Sequence, residues 1–414
     1  MISFTIQSFG CRVNQAEAFT WAEEFQKNGL RYERDISQSD LVFVNTCTVT
    51  SGADRDVRKF LHRIPHINPH ARIVVTGCFV ERAQEELGKY TQVWKVIPNQ
   101  EKAVMAERIL EELGRSKRVS SELFRSRAFI KIQDGCDFNC TFCIIPSVRG
   151  KSRSVPQQKV LGKVRDAVSR GYQEIVLTGV HLCLYGRDFS PEIGLVNLLQ
   201  QLDSIEGLSR FRLGSLDPRF LTPRLMDHLL QSSRICPHFH FSLQHGSDKI
   251  IHRMGRKVDV EQYWKVLEEF RRQQPRAALG ADIIVGFPGE TEDDFRATFD
   301  FVEKSPLDYL HVFSYSPRPG TPAADWAGVK SETKKDRAKS LLRLSAGKWL
   351  DFRRRFINEV CPAVVIEKSD DKCRVLTSNY INVTVSQGSG GVRDAVEVEI
   401  RSVAGKNTLG KIIS

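Results

Sequence analysis

Residues 132–150 read IQDGCDFNCTFCIIPSVRG, the most informative stretch of this 414-residue chain. They place Cys136, Cys140 and Cys143 in a CxxxCxxC spacing at the end of an apolar run, FIKI, that predicts a strand. Three thiolates this close together can hold three irons of a [4Fe–4S] cube and leave the fourth without a protein ligand. The alternative is a structural zinc site, which needs four closed ligands, and the neighbouring CIIPS string offers no further Cys or His. The spacing favours an iron–sulfur cluster with one open iron.

Five more apolar runs follow FIKI, namely EIVLTG, FRLGS, FHFSL, ADIIVGF and YLHVFSY, with helical segments between them. Six β/α units fall short of the eight that close a TIM barrel, so we predict a partial six-unit barrel. Functional residues of parallel β/α folds lie after the carboxyl ends of the strands. Gly179 has such a place after EIVLTG, where a missing side chain lets backbone approach a ligand closely.

The first 115 residues carry strand signals at SFTI, LVFVN, ARIVV and, more weakly, VWKVI, with helical segments between them. This alternation predicts a small α/β domain with a mostly parallel sheet. Cys11, Cys47 and Cys78 each follow one of the first three runs. Since the ends of parallel strands converge, these thiols predict a second three-cysteine cluster site, with three buried structural cysteines as the alternative.

The C-terminal part changes to short alternating runs, AVVIEK, CRVLTS, YINVTV and AVEVEIRSV, which predict a small β-barrel of a kind that commonly binds nucleic acid. The resulting domain boundaries are 1–115, 122–352 and 353–414. A net charge of +11 favours a polyanionic partner. Segment 334–355, with nine basic residues against Asp336 and Asp351, predicts a docking face. Without an apolar run of about 18 residues or a signal peptide, we expect a cytoplasmic protein with no membrane span and with reduced thiols.

These strings together resemble the radical S-adenosylmethionine (SAM) methylthiotransferase family over nearly the whole chain. FGCRVNQ, NTCTVT and TGC resemble its N-terminal domain, the CxxxCxxC string its radical SAM core, and TSNYINVTV its RNA-binding TRAM barrel. GCRVNQ and TGVHLCLYG are most similar to the branch that acts on N6-threonylcarbamoyladenosine next to the tRNA anticodon. The chain departs from that pattern at Arg12, Cys183, the GSLDP string and His245.

The resemblance implies SAM and two [4Fe–4S] clusters. The Cys136, Cys140 and Cys143 cluster would cleave SAM to a radical, and the Cys11, Cys47 and Cys78 cluster would carry the inserted sulfur. It also implies a tRNA substrate, an external electron donor and a sulfur donor that the sequence does not identify. The residues expected to line the SAM site are Phe142, Gly179, Ser215, Gln244 and Arg256.

The substrate assignment leaves three alternatives open: isopentenyladenosine in tRNA, a ribosomal protein, or a non-catalytic redox-sensing iron–sulfur protein that binds RNA. A basic group after the cluster loop could pair with the carboxylate of the threonylcarbamoyl group, the candidates being Arg149, Lys151 and Arg153. Tyr380 could stack a base or close the barrel core. His181, His240, His245 and His311 are expected to be hydrogen-bonding residues, Cys183 to line the SAM pocket, and Cys236, Cys361 and Cys373 to be buried hydrophobes.

Overall fold

The computed structural model describes residues 1–114, 125–189, 194–369, 372–386 and 390–414. They form two compact units. The first consists of the described residues of Met1–Arg125 with Asp134–Arg153 and Ser316–Ala324, and the second of Ser126–Gln133, Ser154–Tyr315 and the described residues of Asp325–Ser414. The CxxxCxxC loop therefore belongs to the first unit. The predicted boundary at 115–122 lies outside the described residues, and the division into three domains stays a prediction.

The first unit is built on a parallel sheet, as predicted. Its strands are β1 (Ser3–Ser8), β2 (Arg31–Tyr32), β3 (Leu41–Thr46), β4 (Arg72–Gly77) and β5 (Val93–Ile97), and its helices are α1 (Arg12–Lys27), α2 (Ser51–Ile67), α3 (Val80–Leu87), α4 (Met105–Glu112) and α5 (Ile145–Arg149). The strand order is β2-β1-β3-β4-β5, with every pair parallel. All of β3, LVFVNT, is buried, because a parallel strand covered by helices on both faces reads as a continuous apolar run.

Each face of this sheet has its own core. Phe43 joins the core that contains Phe25 of α1, and their rings stack with centroids 4.5 Å apart. Val42 and Val44, its neighbours in β3, point the other way into the core that contains Leu61 of α2. The alternation of side chains along β3 therefore fixes helices on both faces and leaves the ends of the strands for the cysteines.

The second unit contains the six predicted parallel strands and, at the edge beside the first of them, a two-residue strand that was not predicted. The strands are β6 (Ala128–Asp134), β7 (Arg153–Ser154), β8 (Glu174–Gly179), β9 (Arg210–Leu213), β10 (His238–Gln244), β11 (Ala278–Val285) and β12 (Tyr309–Ser314), and the helices are α6 (Gln157–Ser169), α7 (Leu195–Asp203), α8 (Pro223–Gln231), α9 (Asp248–Arg253), α10 (Val260–Gln273), α11 (Glu292–Lys304) and α12 (Ser331–Arg354). The sheet β7-β6-β8-β9 continues through isolated bridges toward β10-β11-β12. A partial six-unit barrel is confirmed.

The same unit ends in a closed barrel of five strands, β13 (Val360–Lys368), β14 (Lys372–Thr377), β15 (Asn382–Ser386), β16 (Ala395–Ala404) and β17 (Asn407–Ile412). Sequence reasoning predicted four of these strands and missed β17. Phe352 of α12 and Phe356 enter its core beside Val375 and Val398. Across the described residues, no helix is both long and apolar enough to cross a membrane.

Candidate metal centres

The first three cysteines meet at one edge of the N-terminal sheet. Thr46 and Gly77 are paired in the β3–β4 register, so Cys47 and Cys78 occupy adjacent positions just beyond it. The Cys78 amide donates to the Thr46 carbonyl at 3.1 Å. Cys11 precedes α1 as its N-cap residue and lies close enough to Cys47 and Cys78 to interact with both electrostatically. The structure thus brings the predicted triad together.

Gly10 makes this convergence possible. Its φ is +86°, a left-handed conformation that suits glycine, and a Cβ on it would lie 2.5 Å from the Cys47 Sγ. Gly77 plays the same part between β3 and β4, with φ +108° and an imaginary Cβ only 2.3 Å from the Thr46 carbonyl oxygen. Any larger residue at either place would push the thiols apart.

The donor set fits a metal cluster. Cys47 and Cys78 are buried, whereas Cys11 is exposed. Burial, reinforced by the nearby Cys11 thiol, raises the pKa of Cys47 to about 12. A thiol with that pKa stays protonated at neutral pH unless a metal displaces the proton, as metals do when they bind cysteine.

The CxxxCxxC cysteines lie in a loop held by its own backbone. The Cys136 amide donates to the Gly150 carbonyl at 3.1 Å, and the Cys143 amide donates to the Cys140 carbonyl at 3.0 Å. Gly135 has φ +72°, and a Cβ there would lie 2.0 Å from the Lys151 carbonyl oxygen. All three cysteines are half-buried, so the loop keeps their thiols accessible from outside.

Arg149, at the end of α5, does not serve as a pairing group for a substrate. It is buried and bonds Glu17, Asp134, Asn14 and the Cys78 sulfur. The expectation that it meets a substrate carboxylate is wrong, because its donors are already committed inside the first unit. Lys151 and Arg153 are exposed and remain candidates.

Three predicted SAM-site residues follow successive strands of the second unit. Gly179 ends β8, and a Cβ on it would lie 3.0 Å from Gln133, whose Oε1 accepts from the His181 amide at 2.7 Å. Ser215 follows β9 and is exposed. Gln244 ends β10 after a register shift and has φ +81°, an uncommon, strained conformation for a residue with a side chain. Strain of this kind clusters at functional sites, and the roles of these residues stay predictions.

Arg256 is tied to Asp217, a residue that sequence reasoning missed. Arg256 Nη2 donates to Asp217 Oδ2 at 3.0 Å and to the Ser242 carbonyl at 2.7 Å. Arg219 and His181 contact the same carboxylate, and together these groups hold the pKa of Asp217 well below its usual range although burial opposes the shift. Asp217 therefore organises the strand ends, and the GSLDP string after β9 was the available signal.

The side chains of His240 and His245 are hydrogen-bonded, as predicted. His240 Nε2 lies 2.9 Å from Asp282 Oδ1, and its Nδ1 lies 3.0 Å from the Tyr309 hydroxyl. His311 is 3.4 Å from the same Asp282 oxygen, so three possible metal-ligand atoms lie within 4.8 Å of one another. Although burial opposes it, both imidazoles hold the pKa of Asp282 well below its usual range.

Further predictions on single residues have mixed outcomes. Cys236, Cys361 and Cys373 are buried, as expected, and Cys183 is buried with its sulfur 3.8 Å from the Asp217 carbonyl oxygen. Tyr380 is half-buried and lies outside the core cluster of the small barrel, with the Arg212 guanidinium 5.0 Å from its ring centroid. It stacks on His238 with ring centroids 4.1 Å apart.

The basic segment 334–355 is only partly a surface. Arg353 is buried and donates to the Thr408 hydroxyl at 3.1 Å, and Arg337 is buried against Glu290 at 2.8 Å. Lys348 donates to the carbonyls of Glu303 and Ser305. The prediction of one continuous docking face is therefore wrong. The exposed remainder consists of Lys335, Lys339, Arg343, Arg354 and Arg355.

Comparison with known proteins gives two family matches. Residues 130–302 match the radical SAM superfamily, and residues 3–97 match an uncharacterized protein family, UPF0004. Among solved structures, the radical SAM methyltransferase TsrM from Kitasatospora setae is similar at a TM-score of 0.56, with 14% identity over 78% of this chain and 75% of that chain. At this identity the likeness supports the fold alone.

Curated relatives match over nearly the full length. A threonylcarbamoyladenosine tRNA methylthiotransferase, MtaB, from Aquifex aeolicus is 35% identical over 395 residues, covering 91% of this chain and 95% of the relative. The protein of the same name from Bacillus subtilis is 33% identical over 430 residues, covering 97% and 94%. With both cysteine triads placed in its fold and this coverage, the chain belongs to the MtaB-type family of radical SAM methylthiotransferases.

Proposed function

We propose that this chain converts N6-threonylcarbamoyladenosine next to the tRNA anticodon into its 2-methylthio derivative. The observation that carries the proposal is the alignment with relatives named for this reaction in five bacteria, at 33–36% identity over 78–97% of this chain. The C–H bond that must be broken is unactivated, so an ordinary acid or base cannot remove its hydrogen. A radical route is therefore required.

Membership of the family means that the chain uses SAM and an iron–sulfur cluster. We propose two clusters, one on Cys136, Cys140 and Cys143 and one on Cys11, Cys47 and Cys78. When bound, the first supplies the electron that cleaves SAM and the second supplies the sulfur. An external electron donor is also proposed.

The chain's own residues position and shield this chemistry. Gly10 and Gly77 hold the strand ends close enough for three thiols to meet, while the half-buried loop around Cys140 keeps its thiols reachable by a small molecule. Arg256 ties the Asp217 carboxylate, two residues after Ser215, to the Ser242 carbonyl, two residues before Gln244. We propose that Phe142, Gly179, Ser215, Gln244 and Arg256 bind SAM.

The substrate assignment predicts discrimination by charge. Threonylcarbamoyladenosine carries a carboxylate, whereas isopentenyladenosine is neutral, and the exposed Lys151 and Arg153 could pair only with the former. Reconstituted enzyme should be incubated with SAM, a reductant and tRNA bearing each modification, after which the nucleosides are weighed by mass spectrometry. We expect a methylthio gain on the threonylcarbamoyl substrate only. A gain on the isopentenyl substrate alone would overturn the assignment and leave the enzyme class intact.

A further inference from the structure

Arg149 connects the two cysteine triads. It ends α5, six residues after Cys143, and its side chain is only 2% exposed. Arg149 Nε donates to the Cys78 Sγ at 3.3 Å, Nη1 to Glu17 Oε1 at 3.1 Å and to Asp134 Oδ1 at 2.8 Å, and Nη2 to Asn14 Oδ1 at 2.6 Å. The guanidinium of Arg149 thus links α5, which follows the CxxxCxxC loop, to Cys78 of the N-terminal triad.

The local charges explain why an arginine can be buried here. Glu17 accepts from Arg149 through one oxygen and from Lys102 Nζ through the other, at 2.7 Å. Asp134 is the second carboxylate on the guanidinium. Two cations face two carboxylates, so the buried charges are paired, as buried charges must be. The planar fork of arginine still directs its Nε–H at sulfur, which a lysine ammonium could not do with the same geometry.

We infer that Arg149 is a positioning residue for the cluster on Cys11, Cys47 and Cys78, an inference that rests on the two-cluster proposal. Hydrogen bonds to cysteine sulfurs and nearby positive charge favour the reduced, more negative form of an iron–sulfur cluster. Arg149 therefore raises the reduction potential of this cluster. Because α5 directly follows the CxxxCxxC loop, the hydrogen bond from Arg149 to Cys78 also fixes the position of the C-terminal end of this loop relative to Cys78.

The test compares Arg149→Gln with Lys102→Met, which removes the other cation of Glu17 but leaves the hydrogen bond to the Cys78 sulfur in place. Each full-length variant is reconstituted anaerobically and its N-terminal cluster titrated electrochemically by electron paramagnetic resonance. Alanine replacement of Cys136, Cys140 and Cys143 identifies the signals of the N-terminal cluster. We expect Arg149→Gln to shift that cluster to a more negative potential and Lys102→Met to shift it much less.

If Arg149→Gln fails to hold the N-terminal cluster, Arg149→Lys serves as the second variant, since it restores charge but not the fork. Loss of about four irons in Arg149→Gln with retention in Lys102→Met supports the inference. An unchanged potential in Arg149→Gln, or equal iron loss in all three variants, would overturn it. None of these measurements uses tRNA, so their outcome is independent of the substrate assignment.

A second, independent observation concerns the outer face of α2. Its exposed basic residues recur at helical spacing and therefore share one face: Arg55, Lys59, His62, Arg63 and His66. They span roughly 16 Å at about 1.5 Å per residue. Asp56 is the one exposed acid of this helix, and Asp54 is buried against Arg318.

The geometry points to an RNA phosphate backbone as the occupant of this face, an inference that rests on the tRNA substrate proposed above. Charge complementarity favours a polyanion, because basic side chains spaced along a helix can release several counterions from consecutive phosphates. The helix also begins four residues after Cys47, so RNA along it would lie beside the predicted sulfur-carrying site.

The test uses Lys59→Glu with Arg63→Glu and, as control, Lys265→Glu with Arg272→Glu, two exposed basic residues of α10. We expect weaker tRNA binding for the α2 variant only, with the slope of log affinity against log salt flattened by about one per lost contact. SAM cleavage without tRNA should not change. If the α2 variant binds tRNA with wild-type affinity, or if the control variant loses as much affinity, the proposal that this face of α2 binds RNA is wrong. If the wild-type protein does not bind tRNA at all, the proposed function is wrong instead.

Discussion

The two cysteine triads are assembled by opposite routes. Cys136, Cys140 and Cys143 lie within eight residues of one loop, whereas Cys11, Cys47 and Cys78 are 36 and 31 residues apart. The first triad depends on a turn closed by local hydrogen bonds. The second depends on the order of three parallel strands, β1, β3 and β4, so it exists only once the sheet has formed.

Their surroundings differ in the same sense. The loop cysteines are half-buried, whereas Cys47 and Cys78 are buried and Cys11 is exposed. Cys78 also accepts a hydrogen bond from Arg149, which belongs to a network of buried charges. A half-buried loop suits a cluster that must admit SAM and an electron donor. Burial of two of the three N-terminal cysteines suits a cluster that is shielded from solvent on all sides except that of the exposed Cys11. From this difference we expect that either set of cysteines can be replaced while the other still binds its cluster.

The largest expected effect comes from removing the loop triad. Replacing Cys136, Cys140 and Cys143 by alanine should abolish both SAM cleavage and methylthiolation, because no other cluster in the proposal binds SAM. About four irons should remain on the N-terminal triad. Iron analysis and chromatography of 5′-deoxyadenosine would measure both.

Cys361→Ala is the matched control, since this buried cysteine belongs to the core of the C-terminal barrel. It should keep about eight irons and normal SAM cleavage. If the triple variant cleaves SAM at the same rate as the control, the cluster on Cys136, Cys140 and Cys143 is not the one that cleaves SAM.

Local patterns in the sequence predicted much of this molecule. Apolar runs such as LVFVN and EIVLTG became strands β3 and β8, because continuous burial in a parallel sheet leaves a plain compositional trace. The CxxxCxxC loop could be proposed as a cluster site from the spacing of its cysteines alone. The N-terminal triad needed one further rule, that the ends of parallel strands converge.

Long-range partners were not predictable in this way. From the sequence, Arg149 and Arg353 would be expected to be surface cations. Each is buried because it donates to a partner far along the chain, Arg149 to Glu17 and Arg353 to Thr408. Asp217 likewise pairs with His181 and Arg256, 36 and 39 residues away along the chain. A charge in a sequence does not reveal whether water or another residue satisfies it.

The central claim is that one triad starts the radical reaction and the other supplies the sulfur. The most direct measurement uses the variant with Cys11, Cys47 and Cys78 replaced by alanine, given SAM, a strong reductant and threonylcarbamoylated tRNA. Both 5′-deoxyadenosine and the methylthiolated nucleoside are quantified from the same reaction. We predict continued formation of 5′-deoxyadenosine with about four irons retained and no methylthiolated nucleoside. Normal methylthiolation by this variant would contradict the account.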